Sequence, residues 1–366
     1  MSIAEKLTRP GPKRMLALDG GGIRGLISIE LLAEIERTLG ERLGAGPGFV
    51  LADYFDYIAG TSTGGIIAAL LSFGLPVAEV RDFYVKQGRD MFRRPFAPWR
   101  FFRSLYRESN LSAVLQHIFG PTTTLGSDRL RTLLLLVMRN ADTDSPWPLS
   151  NNPAAKYNDR SIKNCNLDLP LWAMLRASAA APVYFPPQKL SMGGKTFEFV
   201  DGGMTSYNNP AFLLFLMATL PPYKLGWPTG EDRMLLVSVG TGATPRPGAA
   251  RNVMTAIWSV LMDPRYAALV EQDFLCRVFG RCIVGDPIDS EVGDLKDMAS
   301  PSPKLFTYAR YNAELSRPGL DALGLRDIRV NNVRRMDSVK YIHDLMRLGR
   351  EVARRSVSAD HFTGFL

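Results

Sequence analysis

Three short stretches of the 366-residue chain combine residue types that could do chemistry: Asp19-Gly-Gly-Gly-Ile-Arg-Gly25, Gly60-Thr-Ser-Thr-Gly64 and Asp201-Gly-Gly203. The second is a G-x-S-x-G match. That pattern sets a serine on a sharp strand-to-helix turn, with its hydroxyl projecting towards a substrate. Small neighbours permit the strained turn. The helix that follows offers free N–H groups and a positive dipole end to developing negative charge. The competing reading of the pentapeptide is a Gly/Ser-rich turn before a core helix.

A serine hydroxyl is a weak nucleophile until a base takes its proton. The usual base is histidine, and the chain has three: His117, His343 and His361. The first lies in an amphipathic helix pattern, the second in a C-terminal helix pattern and the third in the tail. None stands in a loop at a strand end, so each reads as a satisfied or solvent-facing histidine. Asp201 does stand at a strand end. A partly desolvated carboxylate held against a hydroxyl can act as the base; the alternative is a common Asp-Gly turn. The residues point to a Ser62–Asp201 dyad.

The glycine-rich stretch after Asp19 has two readings. Gly20-x-Gly22-x-x-Gly25 satisfies the dinucleotide fingerprint between a strand and a helix. Consecutive glycine N–H groups also suit an oxyanion hole, which receives the charge on a carbonyl oxygen during acyl transfer. Asp19 is an awkward neighbour for a pyrophosphate. Glu41 follows the helix directly, which is a poor position for a ribose-binding acid.

These stretches need a scaffold. Apolar runs predict strands at 14–18, 55–59, 132–138, 195–200 and 234–239,. Helical patterns at 26–39, 66–71, 78–92, 111–119, 169–178 and 209–219 separate them. The alternation predicts an α/β fold with a mainly parallel central sheet and helices on both faces. Functional loops of such a sheet lie at the C-terminal ends of its strands. Residues 19–25, 60–64, 201–203 and 240–242 all fall at such ends. Residues 1–13 read as a loose arm and 140–168 as a polar surface excursion. From about 250 the pattern turns helical, at 253–262, 265–279 and 338–356, with strand-like aromatics at 304–312. The expected organisation is a catalytic domain over 14–245 and a mainly helical C-terminal extension over 246–366 packed on it.

Composition sets the outer limits. With 46% hydrophobic and 22% charged residues the chain can bury a sizeable core,. The longest apolar run, Ala211–Ala218, is too short to span a bilayer,. The N-terminal stretch lacks the apolar core of a secretion signal. Three cysteines, Cys165, Cys276 and Cys282, suit free thiols in a reducing compartment,. These features give a cytoplasmic expectation. The net charge of +8 favours an anionic partner: nucleic acid, nucleotide or acidic lipid,. Residues 91–107 carry five arginines, six aromatics and no acid. That mixture suits a membrane interface or a nucleotide; the alternative is a loop with its rings packed under the fold.

Taken together, Asp19-Gly-Gly-Gly-x-Arg-Gly25, Gly60-Thr-Ser-Thr-Gly64 and Asp201-Gly-Gly203 resemble the oxyanion loop, nucleophile elbow and catalytic aspartate motif of the patatin-like phospholipase family. Ser178-Ala-Ala-Ala-Pro-x-Tyr-Phe-Pro186, Asn208-Asn-Pro210 and Ser238-x-Gly-Thr-Gly242 match accessory blocks. The resemblance covers about residues 14–245. It implies hydrolysis of lipid acyl esters through an acyl-Ser62 intermediate, without calcium or another cofactor. Asp201 would be the base, the N–H groups of Gly20, Gly21 and Gly22 would hold the oxyanion, and Arg24 would help order that loop.

The block Phe306-Thr-Tyr-Ala-Arg-Tyr-Asn-Ala-Glu-Leu315, the stretch Leu320–Leu325 and the last helix with His361-Phe362 are similar to a narrower group. This is the CapV-type effector phospholipases of bacterial cyclic-oligonucleotide anti-phage systems. The similarity implies a cyclic dinucleotide activator, such as a cyclic GMP–AMP, and action on membrane phospholipids at the inner membrane surface. It implies no nucleic acid polymer as partner and is compatible with a homo-oligomer.

Overall fold

The computed structural model describes residues 2–91, 108–182, 184–243, 253–296 and 298–366. The Arg/aromatic stretch at 92–107 lies outside the described residues.

The elements run in chain order as follows. The N-terminal arm holds helix α1 (Ile3–Thr8), then strand β1 (Lys13–Leu18), α2 (Gly25–Arg42) and α3 (Leu51–Tyr54). Next come β2 (Tyr57–Thr61), α4 (Thr63–Ser72), α5 (Val77–Met91), α6 (Glu108–Phe119), β3 (Leu133–Asn140) and β4 (Ser145–Ser150). The middle of the chain adds α7 (Leu171–Ser178), β5 (Gln188–Met192), β6 (Lys195–Asp201), α8 (Ala211–Thr219) and β7 (Met234–Val239). The last part holds α9 (Val253–Phe279), β8 (Arg281–Val284), β9 (Thr307–Tyr311), α10 (Arg317–Ala322), α11 (Val330–Arg334) and α12 (Ile342–Ser356).

The nine strands among the described residues join one sheet, in the order β5-β6-β3-β2-β1-β7-β9-β8, with β4 also on β3. The ladders among β1, β2, β3, β7, β8 and β9 are parallel. The central strands β1, β2, β3 and β7 alternate their side chains between two cores, as a period of two requires,. Leu16 and Leu18 of β1 enter one core with α2, α4, α7 and α12; Met15 and Ala17 enter the other with α8. The fold is thus the α/β arrangement with a mainly parallel sheet covered on both faces.

Four details differ from the sequence reading. The arm at 1–13 contains α1, started by a capping box between Ser2 and Glu5,. Within 140–168, β4 pairs with β3 despite Pro146 and Pro148; β4 has no second neighbour among the described residues, and proline is tolerated on such an edge,. The helical patterns at 253–262 and 265–279 form one helix. The strand before Ser62 is displaced by two residues and ends at Thr61 rather than Ala59, because Phe55 closes α3.

The sheet crosses the expected boundary at 245. β8 and β9 extend its parallel part beyond β7, so residues after 246 supply strands as well as helices.

Candidate active site

Ser62 is the residue between the end of β2 and the start of α4. Its backbone is held at φ 55° and ψ −123°. A non-glycine residue at positive φ is strained, and the surroundings hold it there. Gly64 lies so close to the carbonyls of Leu18 and Asp19 that a Cβ would strike them. The Ser62 N–H donates to Ser178 Oγ at 2.9 Å, and Ser178 Oγ donates to the Val137 carbonyl at 2.6 Å. One small side chain from the end of α7 therefore ties the turn to β3. On the helix side, Tyr84 of α5 exchanges a hydrogen bond with Thr63 Oγ1 at 2.6 Å. Burial pushes the Tyr84 hydroxyl above its ordinary range, so it stays protonated,.

The Ser62 hydroxyl donates to Asp201 Oδ2 at 2.8 Å. The other carboxylate oxygen, Oδ1, accepts the Gly203 N–H at 2.6 Å. Asp201 is 1% exposed and Ser62 7%. Such a carboxylate can receive the serine proton, and its second oxygen is held by the turn that follows it.

Strand register explains the meeting. β2 pairs with Leu133–Val137 of β3, ending at Thr61 opposite Val137. β6 pairs with Met138–Asn140, with Asp201 opposite Met138. β4 occupies the other edge of β3 across both stretches. β6 thus takes over the edge that β2 leaves, and it runs antiparallel. β6 is an antiparallel member of the mainly parallel sheet. It reaches the same end of the sheet from the opposite direction.

The histidines are elsewhere. His117 and His343 are exposed, and His361 Nδ1 bonds the Tyr311 hydroxyl at 2.8 Å. None of these contacts involves Ser62.

The glycine loop packs directly on the serine: a Cβ on Gly20 would lie 3.2 Å from the Ser62 Cβ. Its three glycines do not play equal parts. The Gly20 N–H already donates to the Asn208 carbonyl at 3.1 Å. This corrects the expectation that it faces an oxyanion. The N–H groups of Gly21 and Gly22 have no partner among the described residues. The accessory blocks hold this loop. Thr241 Oγ1 donates to the Gly20 carbonyl at 3.0 Å, and Asn208 Nδ2 to the same oxygen at 3.4 Å. Arg24 Nη1 reaches the Arg334 carbonyl at 3.2 Å, and the Ile23 N–H donates to the Met336 carbonyl at 2.9 Å. The segment after α11 is therefore fastened to the loop.

Asp19, which opens the loop, is fully buried against Arg310 of β9. Arg310 Nη1 meets Oδ1 at 3.0 Å and Nη2 meets Oδ2 at 2.6 Å. Burial works against the charge on Arg310, but the Asp19 carboxylate outweighs it and holds the guanidinium above its ordinary value,. Sequence reasoning missed this arginine. The available signal was its place inside the apolar strand Phe306-Thr-Tyr-Ala-Arg-Tyr311, where a charge needs a buried partner.

Beside Ser62 and Asp201 an apolar pocket is lined by Ile66, Met91, Leu111, Tyr184, Phe185 and Met336. A hydrocarbon chain fits such walls, with the polar reacting atoms at the dyad.

The sequence profile of the patatin-like phospholipase family matches residues 16–215. The chain belongs to this family. It is 36% identical over 213 residues to a cGAMP-activated phospholipase of Vibrio cholerae, covering 55% of this chain and 56% of that protein. It is 31% identical over 245 residues to patatin group J-1 of Solanum tuberosum, covering 62% of this chain and 60% of that one. It is 32% identical over 274 residues to patatin-like protein 1 of Arabidopsis thaliana, covering 68% and 63% respectively. The chain thus spans less than two thirds of the length of these relatives. Residues beyond 215, including Arg310 and Met336, lie outside the family match.

Proposed function

We propose that the chain is a lipid acyl hydrolase of the phospholipase A type, working through a Ser62–Asp201 dyad. The observation that carries this reading is the 2.8 Å hydrogen bond from Ser62 Oγ to Asp201 Oδ2 inside a buried, strained turn. Asp201 takes the hydroxyl proton as Ser62 Oγ attacks the ester carbonyl. The carbonyl oxygen becomes negative and is received by the N–H groups of Gly21 and Gly22. The alcohol leaves with the proton from Asp201, and the acyl group stays on Ser62. Asp201 then deprotonates a water that attacks the acyl-serine, and as the fatty acid is released the proton passes from Asp201 back to Ser62 Oγ. The substrates are membrane phospholipids, met at the inner membrane surface. No helix among the described residues is long and apolar enough to cross a membrane.

The reading extends to control. Catalysis belongs to residues 14–245, and the extension at 246–366 makes activity depend on a cyclic dinucleotide of the cyclic GMP–AMP kind, in anti-phage defence. Two observations support this. The block Phe306–Leu315 resembles effector phospholipases, and the Vibrio cholerae relative is named a cGAMP-activated phospholipase.

The test is fatty-acid release from liposomes of bacterial lipids, with and without a panel of cyclic di- and trinucleotides, using Ser62→Ala as the blank. Release that needs one nucleotide supports the whole reading. Equal release without any nucleotide keeps the hydrolase and removes the activator. No release under any condition, with Ser62 unlabelled by a fluorophosphonate, rejects the dyad.

A further inference from the structure

We propose that Arg310 is a positioning residue for the oxyanion loop, acting through Asp19. The proposal rests on the dyad reading above. A loop of three glycines has no side chains with which to define its own course, so its order must come from outside contacts. Arg310 organises those contacts at their root. Its two parallel hydrogen bonds fix the Asp19 carboxylate in both direction and plane,. The same Nη1 donates to Ser238 Oγ at 2.7 Å. Ser238 in turn donates to Asn209 Oδ1 at 3.2 Å. Asn209 follows Asn208, whose carbonyl takes the Gly20 N–H, and Thr241, which donates to the Gly20 carbonyl, lies three residues after Ser238. One guanidinium thus joins the start of the loop to both segments that clamp its first glycine.

Arg310 is 3% exposed and Asp19 1%, so neither exchanges its partner for water. Arginine suits the position because its planar fork matches the carboxylate at two points, which a lysine ammonium does not. The residue comes from β9, beyond the family match at 16–215. The direction of the Gly21 and Gly22 N–H groups therefore depends on the seating of a strand that belongs to the C-terminal part of the chain.

The experiment compares the full chain with Arg310→Lys, Arg310→Met, Asp19→Asn, Ser62→Ala and Arg277→Met, with cyclic GMP–AMP present throughout. Arg277 is the control. It is a buried arginine of the same C-terminal part, paired with Asp273 at 2.7 Å. Readouts are kcat and KM on a short-chain nitrophenyl ester, the rate of Ser62 labelling by a fluorophosphonate, and melting temperature. Misdirected oxyanion donors lower kcat by about 10²-fold. Arg310→Met and Asp19→Asn are expected to show that loss with KM within about threefold and labelling slowed in proportion. Arg310→Lys should recover part of the rate. Arg277→Met should lose stability yet keep kcat below its melting temperature.

Full kcat in the Arg310 variants would overturn the proposal alone. So would an equal loss of kcat in Arg277→Met at an equal loss of melting temperature, because the pair would then serve stability only. If Arg310→Met does not fold, Asp19→Asn and Arg310→Lys, which preserve shape or charge, decide by the same criteria. Equal inactivity of the wild type and Ser62→Ala would overturn the dyad reading and the proposal with it.

Discussion

Thr61 and Asp201 occupy successive places along one edge of β3, opposite Val137 and Met138. The residue after Thr61 is Ser62, so two motifs 139 residues apart in the chain are brought to a 2.8 Å hydrogen bond. Replacing either side chain tests what this contact does. Ser62→Ala and Asp201→Asn should each lower fatty-acid release by about 10⁴-fold while leaving the melting temperature near that of the wild type. Residual turnover above about a percent in either variant would remove that residue from the chemistry.

Ser178 holds the strained turn from behind. Ser178→Ala would leave the Ser62 N–H and the Val137 carbonyl without their partner in a buried place. The expected cost is about 1–3 kcal/mol of stability. Turnover should fall by about tenfold or more, because the turn is then free to relax from its positive φ. Denaturant midpoints and kcat measured on the same preparation check both. Unchanged activity would mean that backbone contacts alone hold the turn.

Glu30 of α2 is almost fully buried and faces two cations. Arg81 of α5 donates to both of its oxygens at 2.8 Å, and Arg350 of α12 reaches Oε2 at 3.2 Å. Glu30→Ala removes the shared acceptor between three helices. The expected loss is about 2–3 kcal/mol, as for hydrogen bonds to charged groups. Urea unfolding gives the value, and a loss below about 0.5 kcal/mol would show that the arginines find water instead.

His361 should make the docking of the tail sensitive to pH. Burial lowers its pKa from the ordinary 6.5, against a smaller opposing effect of Asp360. Nδ1 accepts the Ser358 N–H at 3.4 Å and lies 2.8 Å from the Tyr311 hydroxyl, and a protonated Nδ1 could not accept,. The unfolded chain therefore binds the proton more readily than the fold. The stabilising effect of the neutral ring is complete above about pH 6.5 and is lost as pH falls through the lower folded value. The melting temperature should decline below about pH 6.5, and His361→Phe should flatten that part of the curve. An unchanged slope in the variant would assign the decline to other groups.

Much of this molecule follows from local rules that sequence exposes. Apolar runs of strand length, separated by helical periodicity, required a parallel sheet covered on both faces, and Ala17 and Leu18 do face opposite cores. The small residues around Ser62 specified a sharp turn, and the glycines after Asp19 specified a loop open to close approach. Each of these depends on a residue and its near neighbours, so a single sequence contains the information.

What the sequence left undecided depends on pairings between distant segments. The antiparallel entry of β6 depends on which edge of β3 it joins, and an apolar run marks a strand without naming its neighbour. The occupied N–H of Gly20 depends on Asn208, which the chain brings back after almost two hundred residues. Arg310 read as part of an aromatic strand until the fold set it against Asp19. Burial makes such a charge tolerable only with a partner, and the chain alone does not say which carboxylate that is. The tertiary structure chose it by placing β9 beside β7, with β1 and β7 between it and the strand that leads into the serine,.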